Sequence, residues 1–361
     1  MNDPTPLYRI FRHPVASTES RESSALLAGA GAFVLGALVG LFVFRDSGVP
    51  ISGRGSIGDF AAIGGALVAI AAFLFGCVLR RTQIRRDEAG GSGRPRLRWF
   101  DIAALALAHA VIALLGWIGL ASVVGESFIG ATAYSTAAAV LGGVALAVTA
   151  YLAFLSAVNL TPMMVSLVLA LFLVVGAFTS MLSATDPYWW QENLSALGMT
   201  DDISAMAFNL TLIIAGVMVT TIAHYTTAYL PHSTPMEVRG RTLVRTALVL
   251  IGVLLACVGI FPVDDFLAAH NTAAIGMVII YVTMVVSLRR LLPSMPRVFV
   301  LLGYIYVGVI VILAVFFITG YYNLTAVELV AAVLIFSWII VFLRSSGAVE
   351  MSRDEAASTT G

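Results

Sequence analysis

Ten runs of about 20 consecutive apolar residues constrain the fold of this chain more than any other feature. They lie near residues 24–44, 58–79, 100–123, 131–156, 162–183, 204–229, 243–262, 270–288, 298–319 and 324–343. The runs are continuously apolar and do not alternate with polar residues, so their backbone groups must be bonded within helices and not within a β-barrel. The sequence therefore predicts an all-α polytopic integral membrane protein with about ten transmembrane helices.

Charge content and arginine placement extend this prediction. Only 11% of the residues are charged, against about a quarter in soluble domains, so a soluble protein is excluded. All 20 basic residues are arginine, and all except Arg45 and Arg54 fall on one side if the N-terminus is cytoplasmic. This split follows the positive-inside rule and predicts that both termini are cytoplasmic. The absence of lysine beside abundant Ala, Gly and Val suggests a GC-rich bacterial genome, and hence the bacterial inner membrane.

The chain divides into a few parts by composition. We expect a cytoplasmic N-terminal segment over 1–23, a four-helix membrane part over 24–156 with a basic cytoplasmic loop at 80–99, a six-helix membrane domain over 161–344, and a cytoplasmic tail over 345–361. The first apolar run is too long for a signal peptide and is expected to remain as an anchor. At the start of the six-helix domain, Thr161 is predicted to cap a helix that has Pro162 in its first turn.

Small residues and cysteines inside the apolar runs add two expectations. Gly36 and Gly40 form a G-x-x-x-G pattern, which either packs against another helix of the same chain or forms a face for a homo-oligomer. Cys77 and Cys257 lie inside apolar segments, so neither a disulfide nor a cysteine metal site is expected.

Three stretches of the six-helix domain carry a resemblance to a known family. They are S-A-L-G at 195–198, F-N-L-T-L-I-I-A-G at 208–216, and G-I-F-P-V-D-D-F-L-A-A-H-N-T-A-A from Gly259. These stretches resemble the bacterial membrane-protein family of unknown function numbered 998. That family is similar to a wider six-helix group that includes the DRAM autophagy modulators and proteins of GPI-anchor lipid remodelling. The resemblance covers about residues 161–344 and implies a six-helix unit with a polar outer surface and a preference for lipids, without a reaction to carry over.

Polar side chains of the six-helix domain gather in three loops on its predicted outer side. The first loop carries Asp186, Glu192, Asn193, Ser195, Asp201 and Asp202, the second carries Asp264, Asp265, His270 and Asn271, and the third carries Tyr321, Tyr322 and Asn323, with Glu328 about one turn into the tenth segment. An ionisable side chain within a membrane helix costs about 2.5–3.5 kcal/mol on insertion scales, so Glu328 requires a partner, and His270 is the natural one. The cluster is either a hydrogen-bonded latch or a pocket for a lipid headgroup, an ion or catalysis.

The catalytic alternative has named candidates. If the chain is an enzyme, they are Glu192, Ser195, Asp264, Asp265, His270 and Glu328. A serine hydrolase would combine Ser195 as nucleophile, His270 as base and an aspartate as the orienting group. A zinc site needs three or four converging ligands, and the outer side holds a single histidine, so neither a metal nor a cofactor is expected.

The outer loop also carries adjacent aromatic residues. Tyr188, Trp189 and Trp190 follow just after the fifth apolar run, at the depth where aromatic belts meet the headgroup region. They are predicted to anchor the loop at the membrane interface, or to wall a lipid groove in which Glu192 and Asn193 face the headgroup.

These observations leave three classes of function open. The first is binding, sensing or moving lipid or a small amphiphile at the outer face. The second is a membrane-embedded lipid-modifying hydrolase, and the third is a proton-coupled transporter that uses His109 in the third segment. The expected partner is membrane lipid and not nucleic acid, and no Walker or dinucleotide signature stands in a credible context.

Overall fold

A computed structural model describes residues 14–45, 48–87, 98–227, 230, 234–293 and 295–359. Within these ranges ten helices are long and apolar enough to cross a membrane, which confirms the all-α polytopic prediction. They are α1 (Thr18–Val43), α2 (Ile57–Asp87), α3 (Trp99–Ser127), α4 (Ser135–Val158), α5 (Pro162–Leu182), α6 (Ile203–Thr227), α7 (Pro235–Ile260), α8 (Leu267–Leu291), α9 (Arg297–Ile318) and α10 (Leu324–Thr359). Residues 1–13 of the predicted N-terminal segment and 88–97 of the predicted basic loop lie outside the described ranges.

Several helices extend beyond the apolar runs from which they were predicted. The α2 helix continues to Asp87, α7 begins at Pro235 about two turns before its apolar run, and α10 reaches Thr359. Hydropathy marks only the part of a helix that lipid covers, whereas helical hydrogen bonding continues until a cap or breaker ends it. These three helices are therefore longer than the predicted spans.

Local capping explains where two of these helices begin. The Thr161 hydroxyl accepts a hydrogen bond from the Met164 N–H at 3.2 Å, and Pro162 occupies the first turn of α5, as the sequence predicts. At the start of α7, Thr234 and Glu237 exchange side-chain to backbone hydrogen bonds in a capping box.

The chain separates into two compact units, residues 1–160 and 161–361. In the first unit α4 packs against both α1 and α2, and α3 packs against α2. A pair of two-residue strands, β1 (Val49–Pro50) and β2 (Thr132–Ala133), runs antiparallel between loops of this unit. Strands of two residues leave no periodic signal in the sequence.

The predicted G-x-x-x-G face packs within the first unit. A Cβ on Gly36 would lie 2.9 Å from the Leu146 side chain, and one on Gly40 would lie 2.9 Å from the Ala139 Cα, both on α4. Both glycines are buried. Of the two alternatives for these residues, intramolecular packing is the one that the structure supports.

His109 is a packed histidine of the first unit. Its Nδ1 lies 2.8 Å from the Leu105 carbonyl oxygen, and because a carbonyl only accepts, Nδ1 donates and Nε2 accepts from the Ser156 hydroxyl at 2.9 Å. The imidazole also lies on the Phe73 ring, with centroids 4.5 Å apart. Both ring nitrogens are thus used in hydrogen bonds within the first unit.

The second unit is the predicted six-helix domain. Its α6 helix packs against α5 and α7, α8 packs against α7 and α9, and α10 contacts α5 and α9. An aromatic core fills its interior, where Trp338 stacks on Phe299 and Phe342 and meets the edge of Tyr281. This unit has two ends: the loop end, which carries residues 183–202, and the arginine end, where α8 ends and α9 begins.

Candidate functional site

The connection between α5 and α6 folds over the loop end of the second unit. It contains two 3₁₀ turns, Trp189–Gln191 and Leu194–Gly198. Asp186 starts the fold by accepting a hydrogen bond from the Tyr188 N–H at 2.8 Å. Asp202 ends it, because its carboxylate accepts from the Ala205 N–H in the first turn of α6 at 2.9 Å. Both aspartates therefore shape the connection.

The pKa of Asp202 reflects this role. Partial desolvation raises the pKa, but hydrogen bonds from Thr200, the Ala205 N–H and Thr185 together outweigh it and leave the pKa below its ordinary value. The Thr185 hydroxyl donates to the carboxylate at 2.8 Å. Asp202 is therefore ionised at neutral pH, which suits a carboxylate at a helix N-terminus.

Residues 189–198, called here the anchored segment, are held mainly through their main chain. The Trp190 carbonyl oxygen accepts from Asn323 at 2.9 Å, the Leu197 carbonyl oxygen from Ser204 at 3.2 Å, and the Gly198 carbonyl oxygen from Asn209 at 3.0 Å. Side chains near the ends of α6 and α10 supply all three donors. Irregular backbone in a membrane protein needs such partners, since lipid supplies none.

Two serines strengthen this attachment. The Ser180 hydroxyl donates to the Ser204 carbonyl oxygen at 3.0 Å, and the Ser204 hydroxyl lies 2.9 Å from the Ser180 carbonyl oxygen, so α5 and α6 are joined directly beneath the anchored segment. Neither serine is predicted from the sequence to belong to the site, and Asn209 is not predicted to belong to it either. The sequence feature that could have indicated them is a small polar residue near the end of each of the two helices. Such residues are too common in membrane helices to identify a site.

Ser195 and His270 form the most chemically suggestive pair at the loop end. The Ser195 Oγ lies 2.9 Å from the His270 Nε2, and the His270 Nδ1 lies 2.8 Å from the Phe261 carbonyl oxygen. Because that carbonyl only accepts, Nδ1 carries the proton, and Nε2 accepts from the serine hydroxyl. His270 is 5% exposed, while Ser195 is half-buried. A hydroxyl, an imidazole and a group that orients the imidazole are thus linked by two hydrogen bonds, with a carbonyl where catalytic triads carry a carboxylate.

Glu328 is bonded differently from the prediction. Its Oε2 accepts from the Leu194 N–H at 2.7 Å, and the side chain is half-buried. The predicted pair between Glu328 and His270 does not form, since both imidazole nitrogens already have other partners. A backbone N–H of an irregular segment satisfies the carboxylate instead, and no residue pattern reveals such a donor.

One atom of the anchored segment has no partner. The Asn193 Oδ1 is buried and makes no hydrogen bond to any residue that the structure describes. Asn193 directly precedes Leu194, so this acceptor belongs to the same stretch of chain as the N–H bound by Glu328. A buried acceptor without a donor costs about 1–3 kcal/mol, which makes it a natural contact point for a ligand that carries a donor.

The remaining acidic candidates do not join Ser195 and His270. Asp264, Asp265, Asn271 and Glu192 are exposed, and none of them bonds to either residue in the described part of the chain. The described residues also contain no group of three His, Cys, Asp or Glu side chains placed to hold a metal ion. The loop end therefore brings together Ser195, His270, Asn193 and Glu328, and leaves the other candidates at its surface.

The aromatic residues of the connection lie at the surface of the loop end. Tyr188 is 63% exposed and Trp190 is 48% exposed, whereas Trp189 is half-buried. A second aromatic group lies in the turn between α9 and α10, where the rings of Tyr321 and Tyr322 have centroids 5.1 Å apart. Exposed tyrosine and tryptophan at the end of a helical bundle suit the headgroup region of a bilayer.

No family model matches the chain, and neither a curated protein nor a solved structure is significantly similar to it.

Proposed function

We propose that this multi-pass membrane protein binds a lipid or small amphiphile at the loop end, in the outer leaflet of a bacterial inner membrane. The observation that carries the proposal is the buried, unpaired Asn193 Oδ1, which stands one residue from the contact of Leu194 with Glu328. An acceptor and a carboxylate together favour a headgroup that carries hydroxyl or ammonium donors. Exposed Tyr188 and Trp190 support a position of the connection among headgroups, because such side chains are suited to the membrane interface.

Lipid retention tests this function. Asn193→Leu removes the unpaired acceptor but keeps the main-chain bond from the Ala196 N–H to the Asn193 carbonyl. We expect the variant to lose amphiphiles with donor-bearing headgroups that the purified wild-type protein retains, as measured by mass spectrometry of extracted lipid. Asn271→Leu is the matched control, because Asn271 is an exposed asparagine near the same end. Equal retained lipid in Asn193→Leu, Asn271→Leu and the wild-type protein would contradict the proposal.

Glu328→Gln separates charge from hydrogen bonding at the same site. The amide oxygen of glutamine still accepts from the Leu194 N–H, so we expect the fold to persist. Ammonium-bearing lipids should be retained less than in the wild-type protein, whereas neutral hydroxyl-bearing lipids should be retained equally, because only the former need the negative charge.

The Ser195 and His270 geometry favours a second candidate, a lipid ester hydrolase. In that reaction the Ser195 Oγ attacks an ester carbonyl carbon while the His270 Nε2 takes the hydroxyl proton and later gives it to the leaving alkoxide. Water then cleaves the acyl-serine bond, releases the fatty acid and restores Ser195. The Phe261 carbonyl would hold the tautomer that this sequence requires.

A fluorophosphonate probe distinguishes the two candidates. A hydrolase is expected to be labelled at Ser195 and to lose the label in Ser195→Ala, while Ser127→Ala serves as a control because Ser127 is an exposed serine of the first unit whose hydroxyl bonds to the Val123 carbonyl. Absence of label at Ser195 under conditions that label a known serine hydrolase would reject this second candidate and leave the binding proposal intact.

A further inference from the structure

The arginine end of the second unit contains a cavity of about 420 Å³ that has no part in the proposed function. It lies where α8 ends and α9 begins, on the opposite end from the anchored segment. Its floor is apolar, because Leu292, Met295 and Val300 line it and are buried. Its rim carries two cations, Arg289 from the last turn of α8 and Arg297 from the first turn of α9.

The charged side chains that line this cavity are both positive. Both arginines are exposed, and none of the residues that line the cavity carries a carboxylate. The N-terminus of α9 adds to the positive potential, since Pro296 precedes it and provides no side-chain capping hydrogen bond. Two guanidinium groups beside a helix N-terminus favour an anion with several oxygens, such as a phosphate ester.

The depth of the cavity favours a lipid over a free anion. Tyr304, which also lines it, lies seven residues after Arg297, or about 10 Å along the helix. The lining therefore passes from arginine at the helix end to apolar side chains and a tyrosine within the span. The Tyr304 hydroxyl on α9 lies 3.5 Å from the Val286 carbonyl oxygen on α8, so this contact bridges the two helices at the inner limit of the cavity.

We infer that this cavity binds the headgroup and upper acyl chain of an anionic phospholipid from the leaflet at the arginine end. Arg289 and Arg297 contact the phosphate, and Leu292, Val300 and Leu301 contact the acyl chain. Basic pockets between membrane helices are suited to this chemistry. The charge pattern predicts that this end is cytoplasmic, and the inference does not depend on the ligand proposed for the loop end.

Native mass spectrometry of the full-length protein tests the site, with phosphatidylglycerol and phosphatidylcholine as probes. We expect the wild-type protein to retain phosphatidylglycerol in preference to phosphatidylcholine. Arg289→Gln and Arg297→Gln should each weaken phosphatidylglycerol binding by about tenfold or more, because each removes a charge-assisted contact. Arg290→Gln is the matched control, since Arg290 is exposed on the next position of α8 but does not line the cavity. Arg290→Gln should weaken phosphatidylglycerol binding by no more than about fivefold, because it removes only the general attraction of one arginine for an anionic surface.

Two further arms keep the test specific to the cavity. Leu301→Trp narrows it without changing charge, at a position that is 57% exposed, and should also weaken phosphatidylglycerol binding while the melting temperature stays unchanged. Glycerol 3-phosphate added in solution should fail to displace the lipid. Equal losses for Arg290→Gln and Arg289→Gln, unchanged binding in Leu301→Trp, or displacement by glycerol 3-phosphate would each overturn the inference.

Discussion

At the scale of single residues, the interior of the second unit contains polar atoms that packing leaves unbonded. The Tyr281 hydroxyl and the Trp338 Nε1 are buried, and neither has a hydrogen-bond partner among the described residues. Both side chains are 0% exposed, and their rings meet edge to face with centroids 5.6 Å apart. These residues therefore stabilise the unit through their rings, and the polar atoms oppose that contribution.

Removing the Tyr281 hydroxyl tests this interpretation. We expect Tyr281→Phe to leave stability unchanged or to raise it by about 1 kcal/mol, because the ring remains and an unbonded group disappears. Tyr281→Ala should instead cost about 3 kcal/mol through the cavity that it creates. Unfolding of the purified protein in bicelles measures both changes. A clear loss of stability in Tyr281→Phe would mean that the hydroxyl has a partner, such as a buried water.

The contacts of single residues also explain why the candidate site could be predicted only in part. Ser195, His270 and Glu328 were selected because polar side chains near membrane helices need an explanation. The contact between Ser195 and His270 is one of the alternatives that the sequence offers, whereas the other two contacts were not predictable, because Glu328 binds the Leu194 N–H and His270 binds the Phe261 carbonyl. Every residue carries these backbone groups, so the sequence does not distinguish the ones that a fold brings within reach.

At the scale of helices, close approach depends on a few glycines of the second unit. A Cβ on Gly240 of α7 would lie 1.8 Å from the Leu291 carbonyl oxygen at the end of α8. Gly308 of α9 offers a contrast, since a Cβ there would meet nothing within 4 Å. Gly240 is buried, whereas Gly308 is exposed.

These two glycines give a matched pair of substitutions. Gly240→Ala should lower stability by about 1–3 kcal/mol or more, because the added methyl group must displace backbone. Gly308→Ala should raise it by about 0.5–1 kcal/mol, because alanine restricts the unfolded chain and nothing opposes the methyl group. Melting temperatures of the two variants in one detergent provide the comparison. Equal effects would show that helix propensity, and not contact between α7 and α8, governs both positions.

Helices were also the elements that the sequence predicted best. Each of the ten apolar runs corresponds to one helix, because lipid forces a continuous apolar surface on any segment that crosses it. The largest departures from expectation are at the ends of α1, α2, α7 and α10 and in the paired strands β1 and β2. The apolar pattern identifies the part of a helix that lipid would cover and carries no information beyond it.

At the scale of the whole molecule, the arginine distribution predicts an orientation. Residues 81–98 and both termini are expected in the cytoplasm, and residues 186–202 are expected outside. Single cysteines at Ser92 and Thr200 test this in a variant whose native Cys77 and Cys257 have been replaced. Thr200 is exposed, while Ser92 lies outside the described residues.

An impermeant thiol reagent applied to intact spheroplasts should label the cysteine at Thr200 and spare the one at Ser92. Permeabilised cells are the control, because both positions should then react. Labelling at Ser92 in intact spheroplasts would reverse the orientation, and the cavity beside Arg289 would then face the outer leaflet.

The way in which the anchored segment is attached has a consequence for sequence change. Helix side chains bind its carbonyl groups at Trp190, Leu197 and Gly198 and its N–H at Leu194, and these groups exist whatever side chain the segment carries. Most of its positions can therefore mutate without loss of attachment, while Asn209 and Asn323 cannot. In directed evolution the segment is accordingly the place to diversify the ligand preference proposed above, and a library that varies Trp189 to Glu192 should yield mostly folded members.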